Sequence, residues 1–479
     1  MIIMVREKGG NLLLIAAYSS CLLLFALLFS ALFAPFDLLP FHSLRWQTMG
    51  SWRDGLSNNN KSRVIVDESI EEMEPLELLM GRLVRDEDHT QLERTGFACH
   101  TDLHSKVCLT NNPTRINNTN LEFYISTNND SQQNNFSPIL IHPYARQEDK
   151  ITLRDVTPLQ IIFQPNKTLL PLCQFIHNVP VLIFSTGGFT GNLFHEFDET
   201  IIPLFITSYH FQTRVRFLIT DHKTWWVQKY NRILSGLSRF NVVNPAEDGS
   251  VHCFNGGVIG LKFHNILSLN NTDIPGGYSM SDFRSFLRQT YNLKVNNVSE
   301  LSGKKPMVML ISRQTSRRFM NEGEMVEMMK EVGFEVMTTT PQRMSNLDKF
   351  SSVVNLCSVI IGAHGAGLTN EVFLANGAVV VQVVPFGLDW PSTYFFGKPA
   401  AEMELQYLEY KIEAKESSLW DKYGENHPVI RDPESIFAQG YFASRAIYID
   451  EQNLKINLTR FRDTMIQVKK LIEEKRGSW

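Results

Sequence analysis

Three stretches of this chain hold residue types whose spacing could do chemistry. Gly362-Ala-His-Gly-Ala-Gly-Leu-Thr-Asn370 sets a histidine and two glycines between an apolar run and the start of a short helix. Glycines at 365 and 367 let backbone N–H groups face a ligand closely, and a helix N-terminus behind them favours anions. The stretch reads as a diphosphate seat, with His364 placed to add a donor or a positive charge. A tight structural turn accounts for two such glycines equally well. Ser312-Arg-Gln-Thr-Ser-Arg-Arg318 follows an apolar strand in the same half, and guanidinium forks match phosphate oxygens. An ordinary solvated basic loop is its alternative. Arginines and glycine turn together favour a nucleotide-diphosphate site.

The third stretch runs from Asn192 to Glu199. Asn192, His195 and Glu199 stand at i, i+3 and i+7 on one helix face, with Phe194, Phe197 and Ile201 on the other. A histidine and a carboxylate one turn apart could orient or deprotonate a hydroxyl. Glu196 and Asp198 flank the stripe as rivals, and a structural His–Glu pair is the alternative reading. Further on, Val381 to Val384 reads as plain core, followed by Pro385-Phe-Gly-Leu-Asp-Trp390, which could line a cleft with aromatic surface for a base or sugar. Asp86-Glu87-Asp88 formally matches a cation-holding D-x-D motif, but it sits in a charged run and reads as a solvated face. The cysteines lack metal-ligand spacing, and no metal or other cofactor is read from these residues.

Pro180–Gly188 and Val215–Thr220 read as strands, Trp225–Leu237 as a helix and Phe240–Asn244 as a strand. Pro203 should kink or end the helix after Gly191. After a polar hinge candidate at 296–305 the alternation restarts, with strands Pro306–Ser312, Phe334–Thr339, Val359–Ala363 and Ala378–Val384. Such alternation predicts parallel sheets covered on both faces. Two such halves imply two nucleotide-fold domains facing across a cleft.

At 479 residues and a net charge of −4, with no long basic tract, the chain is a poor nucleic-acid partner. Asn11–Ala34 carries no charge, and 24 helical residues span a hydrocarbon core of ~30 Å. Arg6 and Lys8 before it and Asp37 after it place the N-terminus in the cytoplasm, as an uncleaved signal-anchor. A cleaved signal peptide is the alternative. The rest then lies in the secretory lumen. Sequons at Asn60, Asn117, Asn129, Asn135, Asn166, Asn270, Asn297 and Asn457 agree. So do Cys99, Cys108, Cys173, Cys253 and Cys357, an odd set that leaves at least one free or intermolecular thiol; Cys357 is most simply a buried free one. The expected organisation is 1–10 tail, 11–34 transmembrane anchor, 35–95 lumenal stem, 96–300 acceptor domain, 301–455 donor domain and 456–479 C-terminal helix.

Phe184 to Ser208 and Gly362 to Asn370 resemble the signature blocks of glycosyltransferase family 61. Tyr278–Arg288, Ile311–Arg317 and Val383–Trp390 match further blocks in order, so the resemblance runs from about Cys99 to Arg462. It is closest to the plant branch that decorates cell-wall xylan. The resemblance implies a Golgi type II enzyme of the GT-B fold. It would transfer xylose or arabinofuranose from a UDP-sugar without a metal, inverting the anomeric centre. It places His195 and Glu199 at the acceptor mouth. Arg313, Arg317, His364 and the backbone of Gly365, Ala366, Gly367, Leu368, Thr369 and Asn370 would hold the donor. Plant relatives often read H-D-F-N-D where this chain has His195-Glu-Phe-Asp-Glu199, so Glu196 or Glu199 could be the base. They often read F-L-P-P-G where this chain has Phe373-Leu-Ala-Asn-Gly377. An N-glycan or other wall polymer as acceptor, or a silent scaffold in a synthase complex, are the rival functions.

Overall fold

From Met307 onward the expected alternation is found. The computed structural model, which describes residues 63–64, 74–126, 137–272 and 274–476, has there a five-stranded, all-parallel sheet. Its order is Glu335–Thr339, Met307–Ile311, Val359–Ala363, Val379–Val384 and Gln406–Lys411. The central strands Val359–Ala363 and Val379–Val384 are buried along their whole length, as apolar runs covered on both faces must be. Helices Glu322–Val332 and Leu347–Asn355 supply crossovers. The first strand in sequence lies second in space, so the winding reverses between Met307–Ile311 and Val359–Ala363. Open parallel sheets bind ligands outside the carboxyl ends of the strands at that reversal. The arginine stretch leaves one of these two strands and the glycine turn leaves the other.

The first half departs from the expectation of a second all-parallel unit. One five-stranded sheet runs Arg216–Thr220, Val181–Ser185, Gly257–Ile259, Lys106–Thr110, Phe97–Thr101, with its last two pairings antiparallel. A seven-stranded mixed sheet adds Thr114–Asn117, Glu122–Ser126, Leu159–Gln164 and Val251–Phe254 among others. The reason is connection length, because parallel neighbours need a crossover of a dozen residues or so. Between Phe97–Thr101 and Lys106–Thr110 there is only an Asx-type turn, in which Asp102 Oδ1 accepts the N–H groups of His104 and Ser105. The strand expected at 240–244 is reduced to a single bridge, Leu218 to Val243.

The largest hydrophobic cluster crosses the boundary between the halves, joining Leu182 and Phe184 to Ile360 and Val380. It also takes in Leu79, Met80, Leu83, Val84 and Leu92, so helices Leu76–Gly81 and Asp86–Thr95 belong to the folded body rather than to a stem. Asp88 there bonds His100 at 2.7 Å. The hinge candidate is tied down as well: Val298 N donates to Asn376 O at 3.0 Å and Asn376 N to Asn296 O at 2.8 Å. The C-terminal helix Leu458–Arg476 buries Phe461, Met465, Val468 and Ile472 as its stripe predicts.

Cys99–Cys108 and Cys173–Cys253 are disulfides, and Cys357 is a buried free thiol. Sequons Asn166, Asn270, Asn297 and Asn457 are exposed and Asn117 is half-buried. The anchor 11–34 and Asn60, Asn129 and Asn135 lie outside the described residues. Among the described residues no helix is long and apolar enough to cross a membrane.

Candidate active site

The chain leaves strand Val181–Ser185 through a glycine loop and enters helix Leu193–Glu196, capped by Asn192 Oδ1 on Phe194 N at 3.0 Å. That cap is the role the structure gives Asn192. The helix widens into a π-turn at Phe197–Ile201 before resuming as Ile202–Ser208. Pro203, with no N–H for the ladder, follows the wide turn instead of ending the helix. Phe194, Phe197 and Ile201 are buried, which fixes the opposite face.

The three acidic residues of this helix have separate environments. Glu199 is fully buried and accepts from Tyr144 OH at 2.5 Å, Arg146 at 3.0 Å and His195 Nδ1 at 2.7 Å. Glu196 is turned the other way, held by Lys229 Nζ and Tyr230 OH at 2.5 Å each and by Gly191 N at 3.1 Å. Asp198 accepts the Leu267 N–H at 2.8 Å, and burial, with Glu199 beside it, pushes its pKa up to about 8. A base must meet its substrate, and Glu196 and Glu199 have side chains at most 1% exposed. His195 is 24% exposed, and its Nε2 has no hydrogen bond among the described residues. With Nδ1 engaged by Glu199, Nε2 is the nitrogen left to take a proton. Of these three side chains, the exposed one with an unengaged proton acceptor is His195, not either glutamate.

The other wall lies at the winding reversal of the parallel sheet. Gly365 has φ +145°, and a Cβ there would meet an Arg313 guanidinium nitrogen at 2.7 Å and an Arg317 one at 3.2 Å. A glycine is what lets both arginines lie on the turn. Arg313 Nε donates to Ser316 O at 2.8 Å and Arg317 donates to His364 O at 2.7 Å. Arg317 Nε is buried without a partner, and neither arginine makes an ion pair among the described residues. Burial, with Arg313 alongside, lowers the Arg317 pKa to about 9. Two crowded, incompletely paired cations suit a dianion. Gly365, Ala366 and Gly367 stay partly exposed at the head of the 3-10 turn Ala366–Phe373, while Leu368, Thr369 and Asn370 are buried behind it. Leu368 is part of the core, a packing role that its place in the motif does not disclose.

His364 differs from expectation in charge. Burial and the two arginines push its pKa down to about 3, so its ring is neutral and offers no positive charge. Its Nδ1 meets Gln382 Nε2 at 2.8 Å, and Gln382 in turn takes Tyr407 OH at 2.7 Å. Gln382 sits in the strand read as plain core. One amide in Val-Val-Val-Gln-Val-Val must find a buried partner, and that signal was legible. Tyr144 and Arg146, from a loop without a motif, left no such signal.

Aromatic rings join the two walls. Phe194 lies 5.3 Å from His195 and 5.5 Å from Phe395, and Phe395 lies 6.1 Å from His364, centroid to centroid. Phe189 covers His195 at 4.5 Å. Trp390, 68% exposed, stacks on Tyr394 at 5.0 Å, so the loop after Val384 does put aromatic surface beside the site. Among the described residues no group of three or more His, Cys, Asp or Glu gathers as a metal would require.

The profile of Glycosyltransferase 61 matches residues 193–381, from the His195 helix to the strand behind the Gly365 turn. The xylan glycosyltransferase MUCI21 of Arabidopsis thaliana is 31% identical over 84% of this chain and 84% of its own length. The chain belongs to glycosyltransferase family 61. Family 61 relatives from Oryza sativa subsp. japonica include the α-1,3-arabinosyltransferase XAT2, 39% identical over 68% of this chain and 56% of its own. The β-1,2-xylosyltransferase XAX1 is 40% identical over 68% of this chain and 58% of its own, so the match spans little more than half of either rice protein. The family 61 profile takes in both walls but not Tyr144, Arg146 or the Trp390 loop, which this structure adds.

Proposed function

We propose that the chain is an inverting, metal-independent pentosyltransferase that moves xylose or arabinofuranose from a UDP-sugar to xylan. The observation that carries this is the junction of the two walls: an oriented His195 on one side and the arginine-lined Gly365 turn on the other. The acceptor hydroxyl gives its proton to His195 Nε2 as its oxygen bonds the sugar C1. The bond from C1 to the diphosphate breaks on the opposite face and UDP leaves. Glu199, fixed by Tyr144 and Arg146, holds the imidazole in place. Arg313, Arg317 and the Gly365–Gly367 backbone take up the charge on the leaving diphosphate, the work a cation would otherwise do. The relatives' names support a pentose on xylan and divide over which pentose.

We also read the two halves as a GT-B-like arrangement, supported by the parallel donor-side sheet. The expected setting is the Golgi lumen, reached through the 11–34 anchor. Two disulfides and exposed sequons fit an oxidising, glycosylating compartment. The test is to offer xylan with each UDP-pentose in turn and determine the linkage and anomeric configuration of the product. An inverted product from one donor bears the reading out. A retained configuration, or UDP release from no pentose donor with any xylan, rejects it.

A further inference from the structure

A second concave site lies away from the walls described above. A cavity of about 340 Å³ opens where the two sheets of the first half meet, at the start of strand Arg216–Thr220. The catalytic helix instead follows the far end of the neighbouring parallel strand Val181–Ser185. The four residue steps from one end of the strand to the other separate the two ends by roughly 13 Å. The cavity is walled by Phe175, Arg216, Asn244, Glu247, Asp248 and His252.

Its back wall is a fixed hydrogen-bonded chain. Asp248 Oδ2 meets His252 Nε2 at 2.7 Å, and His252 Nδ1 meets His177 Nε2 at 2.9 Å. Asp248 sits below the usual carboxylate range, because hydrogen bonds from Ser250 and His252 outweigh its desolvation. Burial keeps both histidines neutral, His177 down to about 3. An ionised Asp248 therefore takes the His252 Nε2–H. His252 Nδ1 then accepts from His177, an order set by the hydrogen-bond network. The rings of Phe175 and His252 stack at 4.8 Å and those of His252 and His177 at 5.2 Å, giving a flat wall. The Cys173–Cys253 disulfide ties together the chain flanking Phe175 and His252.

The lining decides the chemical class of ligand. Glu247 and Asp248 repel an anion and Arg216 repels a cation, while Phe175, Val242 and Val243 leave an apolar strip among those polar groups. A neutral polyhydroxylated ring suits this mixture, offering hydroxyls to the carboxylates, accepting from Asn244, and laying its apolar face on the aromatic and aliphatic wall. The volume is at the small end of ligand sites, room for one or two sugar units. We propose that this cavity is a non-catalytic saccharide subsite that grips the acceptor polysaccharide at a distance from the transfer site. The identity of that saccharide as xylan rests on the function proposed above.

The test uses the full chain and linear xylohexaose, with binding followed by ligand-observed NMR in the absence of donor. Glu247→Gln and Asn244→Ala leave the histidine chain intact, so the fold is expected to survive, and an unchanged melting temperature checks it. Each substitution should weaken xylohexaose binding by about five-fold, the loss of one hydrogen bond. UDP affinity and turnover on xylobiose should not change. Unchanged xylohexaose binding in both folded variants would overturn the subsite. So would an equal loss of turnover on xylobiose, which would place these residues in the transfer site. If the parent binds no xylo-oligosaccharide but binds another neutral glycan through Glu247 and Asn244, the subsite stands and the xylan reading falls.

Discussion

At the residue scale, the carboxylates flanking His195 can be told apart only by their partners. His195→Ala should cut turnover by ~10²-fold or more, the loss of a general base, with UDP affinity retained. Glu199→Gln should lower turnover less, since the imidazole keeps an oxygen acceptor while Tyr144 and Arg146 lose their carboxylate. Glu196→Gln should leave the pH profile alone and reduce stability by about 1–3 kcal/mol in urea unfolding, because it strands buried partners. A Glu196 variant that lost activity but not stability would refute this division. Sequence could bring His195 forward, because an exposed-face histidine with a carboxylate a turn away is a local pattern. It could not choose the base, because the choice depends on Tyr144, Arg146, Lys229 and Tyr230, which come from elsewhere in the chain. Arg317→Ala should weaken UDP binding by about 10- to 100-fold, the worth of a charge-assisted hydrogen bond, by titration calorimetry.

At the element scale, the donor wall is a consequence of winding. The parallel sheet reverses between Met307–Ile311 and Val359–Ala363, so the segments after those strands must meet. Strand–turn–strand patterning in the second half made this readable from sequence, since long apolar runs and crossover helices are local signals. The first half was less readable, because antiparallel hairpins and short strands pair across long separations that local pattern does not specify. Gly365→Ala tests the turn itself. A Cβ there displaces Arg313 and strains the backbone, so UDP binding should fall at least ten-fold while the rest of the fold survives. Native UDP affinity in a folded Gly365→Ala protein would show that the arginines do not need the glycine's open space.

At the scale of the whole molecule, titration of buried groups sets how stability follows pH. His142, His177, His210, His252 and His364 are all lowered, first of all by burial, three of them to about 3. They are neutral in the fold and take protons near pH ~6.5 only when unfolded, so stability falls as pH drops below about 6.5. Asp198, up to about 8, and Glu371, well above its usual range through burial, act oppositely. The fold keeps their protons and the unfolded chain does not, so stability also falls as pH rises, for Asp198 through about 8. Urea midpoints from pH 5 to 8.5 should pass through a maximum near pH 6–7, and Asp198→Asn should flatten the alkaline side. A monotonic rise to pH 8.5 would contradict the assignment. Reduction should act unequally on the two disulfides. Cys173–Cys253 closes a separation of 80 residues against 9 for Cys99–Cys108, so losing it should cost ~4.5 kcal/mol against ~2.5.

On the proposed mechanism, His195 moves the proton while the Gly365 wall holds the donor. The most direct measurement is paired on one preparation of His195→Ala: UDP affinity by calorimetry and pentose transfer to xylan under saturating donor. Native UDP affinity with transfer down at least ~10²-fold is the expected result. Transfer within two-fold of the parent, or loss of UDP binding along with it, would contradict it.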